Sequence, residues 1–232
     1  VKGGEGRVAE TRGVLLPAYV VADESASMGP HHQALSAGLA SLCNGLRAEP
    51  MIAAKVRLAI LGFSDDVQLR QGLSDMRMVE RLPVLAVRGA TNYGAAFADL
   101  AGRIPHDIQW LKNEGYKVHR PVAFFLSDGQ PTDGRHWHEP HRRLVDRETT
   151  PFAPNIIACG IGSARADTML QVATRREFAF VALPSADIGT AIAEFFHALT
   201  ASLVASGRAL AGGEPQLVVT RPEQFRLAID EV

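Results

Sequence analysis

Three short stretches place oxygen donors just after an apolar run or inside a glycine turn. The first is YVVADESASMGP, Tyr19 to Pro30, in which Asp23, Ser25 and Ser27 are spaced by two. The second is RGATNYG, which carries Thr91 and, two residues on, Tyr93. The third is FFLSDGQP, in which Asp128 follows an aromatic-rich run. Together they supply two carboxylates and three hydroxyls. These are hard donors, which suit Mg²⁺, Mn²⁺ or Ca²⁺ rather than Zn²⁺. Two carboxylates balance a divalent charge only if both approach the ion, and hydroxyls add dipoles without charge. An ion held this way stays electrophilic and can accept an acidic ligand from outside.

Bringing the three stretches to one point requires strands that end side by side. VLLPAYVV, Val14 to Val21, is a near-continuous apolar run, as expected of a strand buried on both faces of a parallel sheet. KVRLAILGF, PVAFFLS, NIIACGIG and EFAFVAL read the same way, and DVQLRQGL alternates as an edge strand does. Between them lie helical spacings: Leu35, Leu39, Leu42 and Leu46, then Phe97, Leu100 and Ile104. HDIQWLKNEGYK extends or follows the second helix, RADTMLQVATR is a short helix, and Ile188 to Leu203 mark an amphipathic one. Residues 74–87 read as one short helix at most, and the His-rich stretch 135–149 as a surface helix or loop. This alternation predicts an α/β fold, doubly wound, with a mainly parallel sheet flanked by helices on both faces and an antiparallel edge strand. Ligands of such sheets bind outside the carboxyl ends of the strands, where the three stretches fall. The expected organisation is a polar lead-in at 1–12, a domain at 13–206, and an extension at 207–232 with a strand-like piece and a tail.

Of the 232 residues, 47% are hydrophobic and 21% charged, and the net charge is −1. Lys and Arg are scattered, which argues against a nucleic-acid face or a polybasic membrane anchor. No membrane-spanning run and no signal peptide are expected. Cys43 and Cys159 are expected as buried free thiols. A cytoplasmic protein is the resulting expectation.

The D-x-S-x-S of DESAS, the Thr of GATNYG and the Asp of LSDGQPTDG resemble the metal-ion-dependent adhesion site of von Willebrand factor A domains. RLAILGFSDDVQL resembles that family's second and third strands, and IIACGIGSARADTMLQVA its fifth strand and following helix, so residues 14–206 are covered. The resemblance implies that Ser25 and Ser27 ligate the ion directly and that Asp23 often acts through water. It implies that Thr91 binds directly or through water and that Asp128 stands in the inner or outer shell. Mg²⁺ is the first expectation, with Mn²⁺ or Ca²⁺ as alternatives. A partner protein presenting Glu or Asp would complete the coordination, with Tyr93, His31 and His32 as expected contacts and Trp137 as a further exposed anchor. FLSDGQPTDG resembles most the bacterial tellurium-resistance TerY type, which implies a stress-response adaptor beside kinase-like or phosphatase-like proteins. No catalysis is expected.

Other readings compete. Asp23, Ser25 and Ser27 could be only a capping turn, Thr91 only a helix N-cap, and Asp128-Gly129 an ordinary turn. RHWHEPHRR is not a helical H-E-x-x-H motif and brings no Cys pair, so a solvated or partner-contacting surface is preferred to zinc. GIGSAR lacks the Lys-Ser/Thr ending of a phosphate loop. A Mg²⁺-dependent hydrolase or phosphotransferase using Asp23 is the main functional alternative, although that chemistry wants an Asp at position 25. A structural domain with a vestigial site is the third.

Overall fold

The computed structural model describes residues 12–231, so most of the expected lead-in lies outside the described residues. In chain order the elements are β1 (Val14–Asp23), α1 (His32–Arg47), the short α2 (Pro50–Ala53), β2 (Val56–Phe63) and β3 (Val67–Ser74). Next come α3 (Tyr93–Asn113), β4 (Lys117–Val118), β5 (Val122–Ser127) and α4 (His138–Val145). The series ends with β6 (Asn155–Gly160), α5 (Ala166–Val172), β7 (Ala179–Ala182), α6 (Ile188–Ala211) and β8 (Phe225–Leu227).

The strands form one sheet in the order β3-β2-β1-β5-β6-β7-β8, with β4 beside the start of β1. β1 pairs in parallel with β2 and with β5, and β6 and β7 continue in parallel. β3 and β8 are antiparallel edges. The chain winds outward from β1 to β3 and then returns to β5 on the other side of β1. The order therefore reverses between β1 and β5, the place where open α/β sheets open a crevice for ligands.

Alternate side chains of β5 face opposite layers, as the period of two demands. Phe124 lies with Phe195, Leu199 and Ser202 of α6. Phe125 packs its ring on Tyr93 and Phe97 of α3, at centroid distances of 4.8 and 5.5 Å. α1 lies against α6, where Gly38 makes room for the Phe196 ring. On the other face α4 packs on α3, and His141 of α4 bonds the Val172 carbonyl of α5 at 2.8 Å.

Several expectations about elements change. Of residues 74–87, Ser74 ends β3 and the rest hold only a 3-10 turn at Met76–Met78 and are otherwise irregular. HDIQWLKN continues α3 as one helix, with Pro105 inside it. α6 runs unbroken across the expected boundary at 206 and ends at Ala211. Its best 18-residue window has a mean hydropathy of 1.4, so by length and composition it does meet the requirement for a membrane span, and 44% of that window is buried. One reason for its apolar breadth is a second cover. Buried Ser206 accepts the Val218 N–H and buried Ser202 the Thr220 N–H, both at 2.9 Å, so the following segment straps across α6 before reaching β8. The extension thus ends as a strand of the main sheet. Cys43 and Cys159 are free and buried, and burial pushes the Cys43 thiol up to about 11.

Candidate metal centre

Asp23 is the last residue of β1 and Ser127 the last of β5. The pairing of Ala22 with Leu126 brings the two side by side. The Ser127 hydroxyl donates to Asp23 Oδ2 at 2.6 Å, and the Ser25 N–H donates to Oδ1 at 2.8 Å. The second bond is an Asx turn, which bends the chain out of β1. It leads into a 3-10 turn at Ala26–His31, so Ser25 and Ser27 come to the same side, their Oγ atoms 3.0 Å apart. Ser27 in turn donates to Asp128 Oδ1 at 2.9 Å. Asp23, Ser25, Thr91 and Asp128 are buried, while Ser27 is exposed.

Thr91 lies directly before the N-cap of α3, where Asn92 Oδ1 accepts the Ala95 N–H at 2.9 Å. Capping is therefore done by Asn92. The Thr91 backbone is clamped by Thr132, whose N–H and hydroxyl both donate to the Thr91 carbonyl, at 2.9 and 3.1 Å. The Thr91 hydroxyl approaches the Asp128 loop: a Cβ added at Gly129 would lie 4.0 Å from Oγ1. The Asp128 carbonyl accepts the N–H and hydroxyl of Ser163, each at 2.9 Å. The GIGSAR turn thus buttresses the site, with Gly162 at φ +57° supplying the left-handed bend.

Burial dominates the electrostatics. It raises the Asp23 carboxyl to about 6 against the hydrogen bonds from Ser127 and Ser25, with Asp128 adding a smaller upward push. Burial likewise raises Asp128, opposed by the Ser27 hydrogen bond and the nearby His31. Two desolvated carboxylates close to three hydroxyls make a set that fits a hard divalent cation, whose charge would offset the cost of burying both acids.

The expected partner contacts fare differently. Tyr93 is a correction: it is fully buried, with its ring against Phe63, Phe97, Phe125 and Trp137. Its hydroxyl donates to the Gly129 carbonyl at 3.1 Å and so props the Asp128 loop from below. Trp137 is a second correction, at 3% exposure beneath the same cluster. Large rings gain most by such packing. The His32 ring is bound to the Leu85 carbonyl at 2.7 Å and anchors the loop before Thr91. His31 is half-buried beside Asp128. The zinc reading of the His-rich stretch finds no support, because no group of three His, Cys, Asp or Glu side chains placed to hold a metal occurs among the described residues.

One group escapes sequence reasoning. Glu24, between Asp23 and Ser25, is fully buried. Arg70 of β3 grips its carboxylate with bonds of 2.8 and 2.7 Å, Arg88 adds one of 2.8 Å, and the Ala86 N–H a fourth of 2.8 Å. Gly62 leaves the space, since a Cβ there would sit 2.1 Å from Glu24 Cδ. The backbone joins too, with Arg88 N–H to Glu24 O at 2.6 Å and Ala26 N–H to Gly89 O at 2.9 Å. Glu24 therefore fastens the loop that carries Thr91 to the loop that carries Ser25 and Ser27. Its partners lie 46 and 64 positions away, and no local pattern connects them.

Residues 18–130 match the family model of the von Willebrand factor type A domain, a span that contains all five candidate residues. Among solved structures, a pilus adhesin, SpaC, from Lactobacillus rhamnosus GG is similar with a TM-score of 0.64 at 11% identity, over 84% of this chain and 31% of that one. Proximal thread matrix protein 1 from the mussel byssus is similar with a TM-score of 0.57 at 13% identity, over 82% of this chain and 48% of that one. A von Willebrand factor type A protein from Catenulispora acidiphila gives a TM-score of 0.56 at 14% identity, over 82% of this chain and 43% of that one. The chain spans less than half the length of each, and at these identities the likeness is one of fold. A search of curated proteins found no match. The fold is that of the von Willebrand factor A domains: a mostly parallel sheet between helices, with antiparallel edges.

Proposed function

We propose that the chain is a metal-dependent protein-binding domain, in which a divalent cation at the rim captures an acidic side chain of a partner. The observation that carries this reading is the run of short contacts from Ser127 to Asp23 and from Ser25 through Ser27 to Asp128, which gathers oxygens from two adjacent strand ends. Asp23, Ser25, Ser27, Thr91 and Asp128 would hold the ion, and Mg²⁺ is the proposed occupant. The ion would supply a fixed positive charge with room for one more carboxylate.

A binding role is favoured over catalysis because both Asp23 oxygens accept hydrogen bonds, from Ser25 and Ser127, which blunts the carboxylate as a nucleophile. The narrower role, an adaptor in a tellurium-resistance-like stress response beside kinase-like or phosphatase-like proteins, rests on the FLSDGQPTDG resemblance alone. Calorimetry with Mg²⁺, Mn²⁺ and Ca²⁺ on this protein and on Asp23→Ala tests the site. Saturable binding lost in the variant is the expected result. Equal heats from both proteins would remove the ion from this rim. Phosphatase turnover with Mg²⁺ that depends on Asp23 would replace the binding role with a catalytic one.

A further inference from the structure

A groove leaves the rim beside Asp128 and runs between α4 and α5. Gln130 borders its rim end, Arg135, Trp137 and His138 form one wall, and Thr168 and Gln171 form the other. It is an open trough of about 440 Å³, suited to an extended segment rather than an enclosed small molecule. Its shape is held by packing. Trp137 is buried against Tyr93 and Phe97, at centroid distances of 5.9 and 5.8 Å. Thr168 donates to Gln130 Oε1 at 2.7 Å and bridges the rim end of the groove. The His138 ring leans on the Trp137 ring at 4.1 Å.

The charge of the groove is one-sided. Two flanking arginines are already paired, Arg142 with Glu139 on α4 and Arg165 with Asp167 at the start of α5. Arg135 is exposed, and its guanidinium has no ion pair or hydrogen bond among the described residues. No carboxylate lines the groove. An unspent guanidinium presents a planar fork that matches a carboxylate with two parallel bonds. Gln130 is two positions from Asp128, so a peptide leaving the ion can enter the groove within a few residues.

We infer that this groove selects the partner, with Arg135 taking a second carboxylate of the same acidic segment whose first carboxylate completes the ion at the rim. The inference rests on the metal-dependent reading above. The ligand class is a peptide with two acids, one on each side of the Asp128–Gln130 loop. His138, beside Arg135, adds a second donor to the same anion.

The test uses synthetic peptides with two glutamates separated by a graded series of glycine spacers. For each, a control peptide has the second glutamate replaced by glutamine. Fluorescence anisotropy is read at saturating Mg²⁺. At least one spacing is expected to bind about tenfold more tightly than its control, the worth of one charge-assisted hydrogen bond. Arg135→Gln should erase that ratio, and Arg135→Glu should invert it, so that the control peptide binds better. Thermal unfolding of both variants checks that the fold is intact. Peptide binding that is Mg²⁺-dependent but shows no gain at any spacing, or a gain that survives Arg135→Glu, overturns the groove inference and leaves the metal site standing. Absence of Mg²⁺ binding by calorimetry overturns both together.

Discussion

Ser27 and Asp128 are 101 positions apart in the chain, and the Ser27 hydroxyl donates to Asp128 Oδ1 at 2.9 Å. That single bond closes the gap between the loop after β1 and the loop after β5. Behind it, Ser127 holds Asp23 at 2.6 Å. Ser127 is thus placed to orient a ligand rather than to be one. Ser127→Ala should lower Mg²⁺ affinity by about 10–100-fold, the usual effect of losing a group that orients a metal ligand. Calorimetry reads it directly, and an unchanged affinity would show that Asp23 needs no such support.

The acidity of Asp23 gives two pH effects of opposite sign. In the metal-free protein, burial raises this carboxyl to about 6, above the value near 4 of an unfolded aspartate. The folded state therefore holds the proton more tightly. The resulting stabilisation is fully present below about pH 4 and is lost as pH rises through about 6. A cation competes with that proton, so metal affinity should fall as pH drops below about 6. Melting curves without metal and calorimetry with it, each run across this range, should show the two opposed trends. Asp23→Asn should remove this group's part of the melting trend and abolish metal binding.

Glu24 gathers four bonds from Arg70, Arg88 and Ala86 in a buried setting. Glu24→Gln leaves two guanidinium groups facing a neutral amide. A loss of about 3 kcal/mol in urea unfolding is expected, as for other broken buried pairs. Hydrogen exchange should quicken at Ala86 and Arg88, whose N–H groups bond Glu24. Exchange that quickens equally throughout the protein would count against a local fastening role.

Tyr93 supports the Asp128 loop through its bond to the Gly129 carbonyl. Tyr93→Phe keeps the ring packing and removes only the hydroxyl. It should cost about 0.5–1.5 kcal/mol, the net worth of one such bond. Chemical denaturation measures this, and affinity for an acidic peptide lacking a second glutamate should change far less than it does in Ser127→Ala.

The sequence discloses most of what burial dictates. Val14–Val21 and Val122–Leu126 read as strands because a strand covered on both faces has little room for polar residues. The five oxygen donors read as a group because each follows such a run or opens a helix. Tyr93 could have been placed correctly, since it stands four residues before Phe97 and so shares the inward face of α3. Nearness to Thr91 in sequence pointed outward, and helical periodicity wins. Glu24 had no such signal. Its partners come from β3 and from an irregular loop, and only the tertiary fold brings them together. β8 is three residues long, too short to show a period, and the strap before it is defined by two serines whose role depends on α6 lying beneath.

The pairing of β8 with β7 has a consequence for how the molecule comes into being. β7 is emitted well before its last neighbour, because all of α6 and the strap separate the two in the chain. While synthesis proceeds, β7 offers unmatched backbone groups to any passing strand, which is the usual opening for aggregation or exchange between copies. A shortened version ending at residue 206 would keep every candidate ligand and still leave that flank permanently bare.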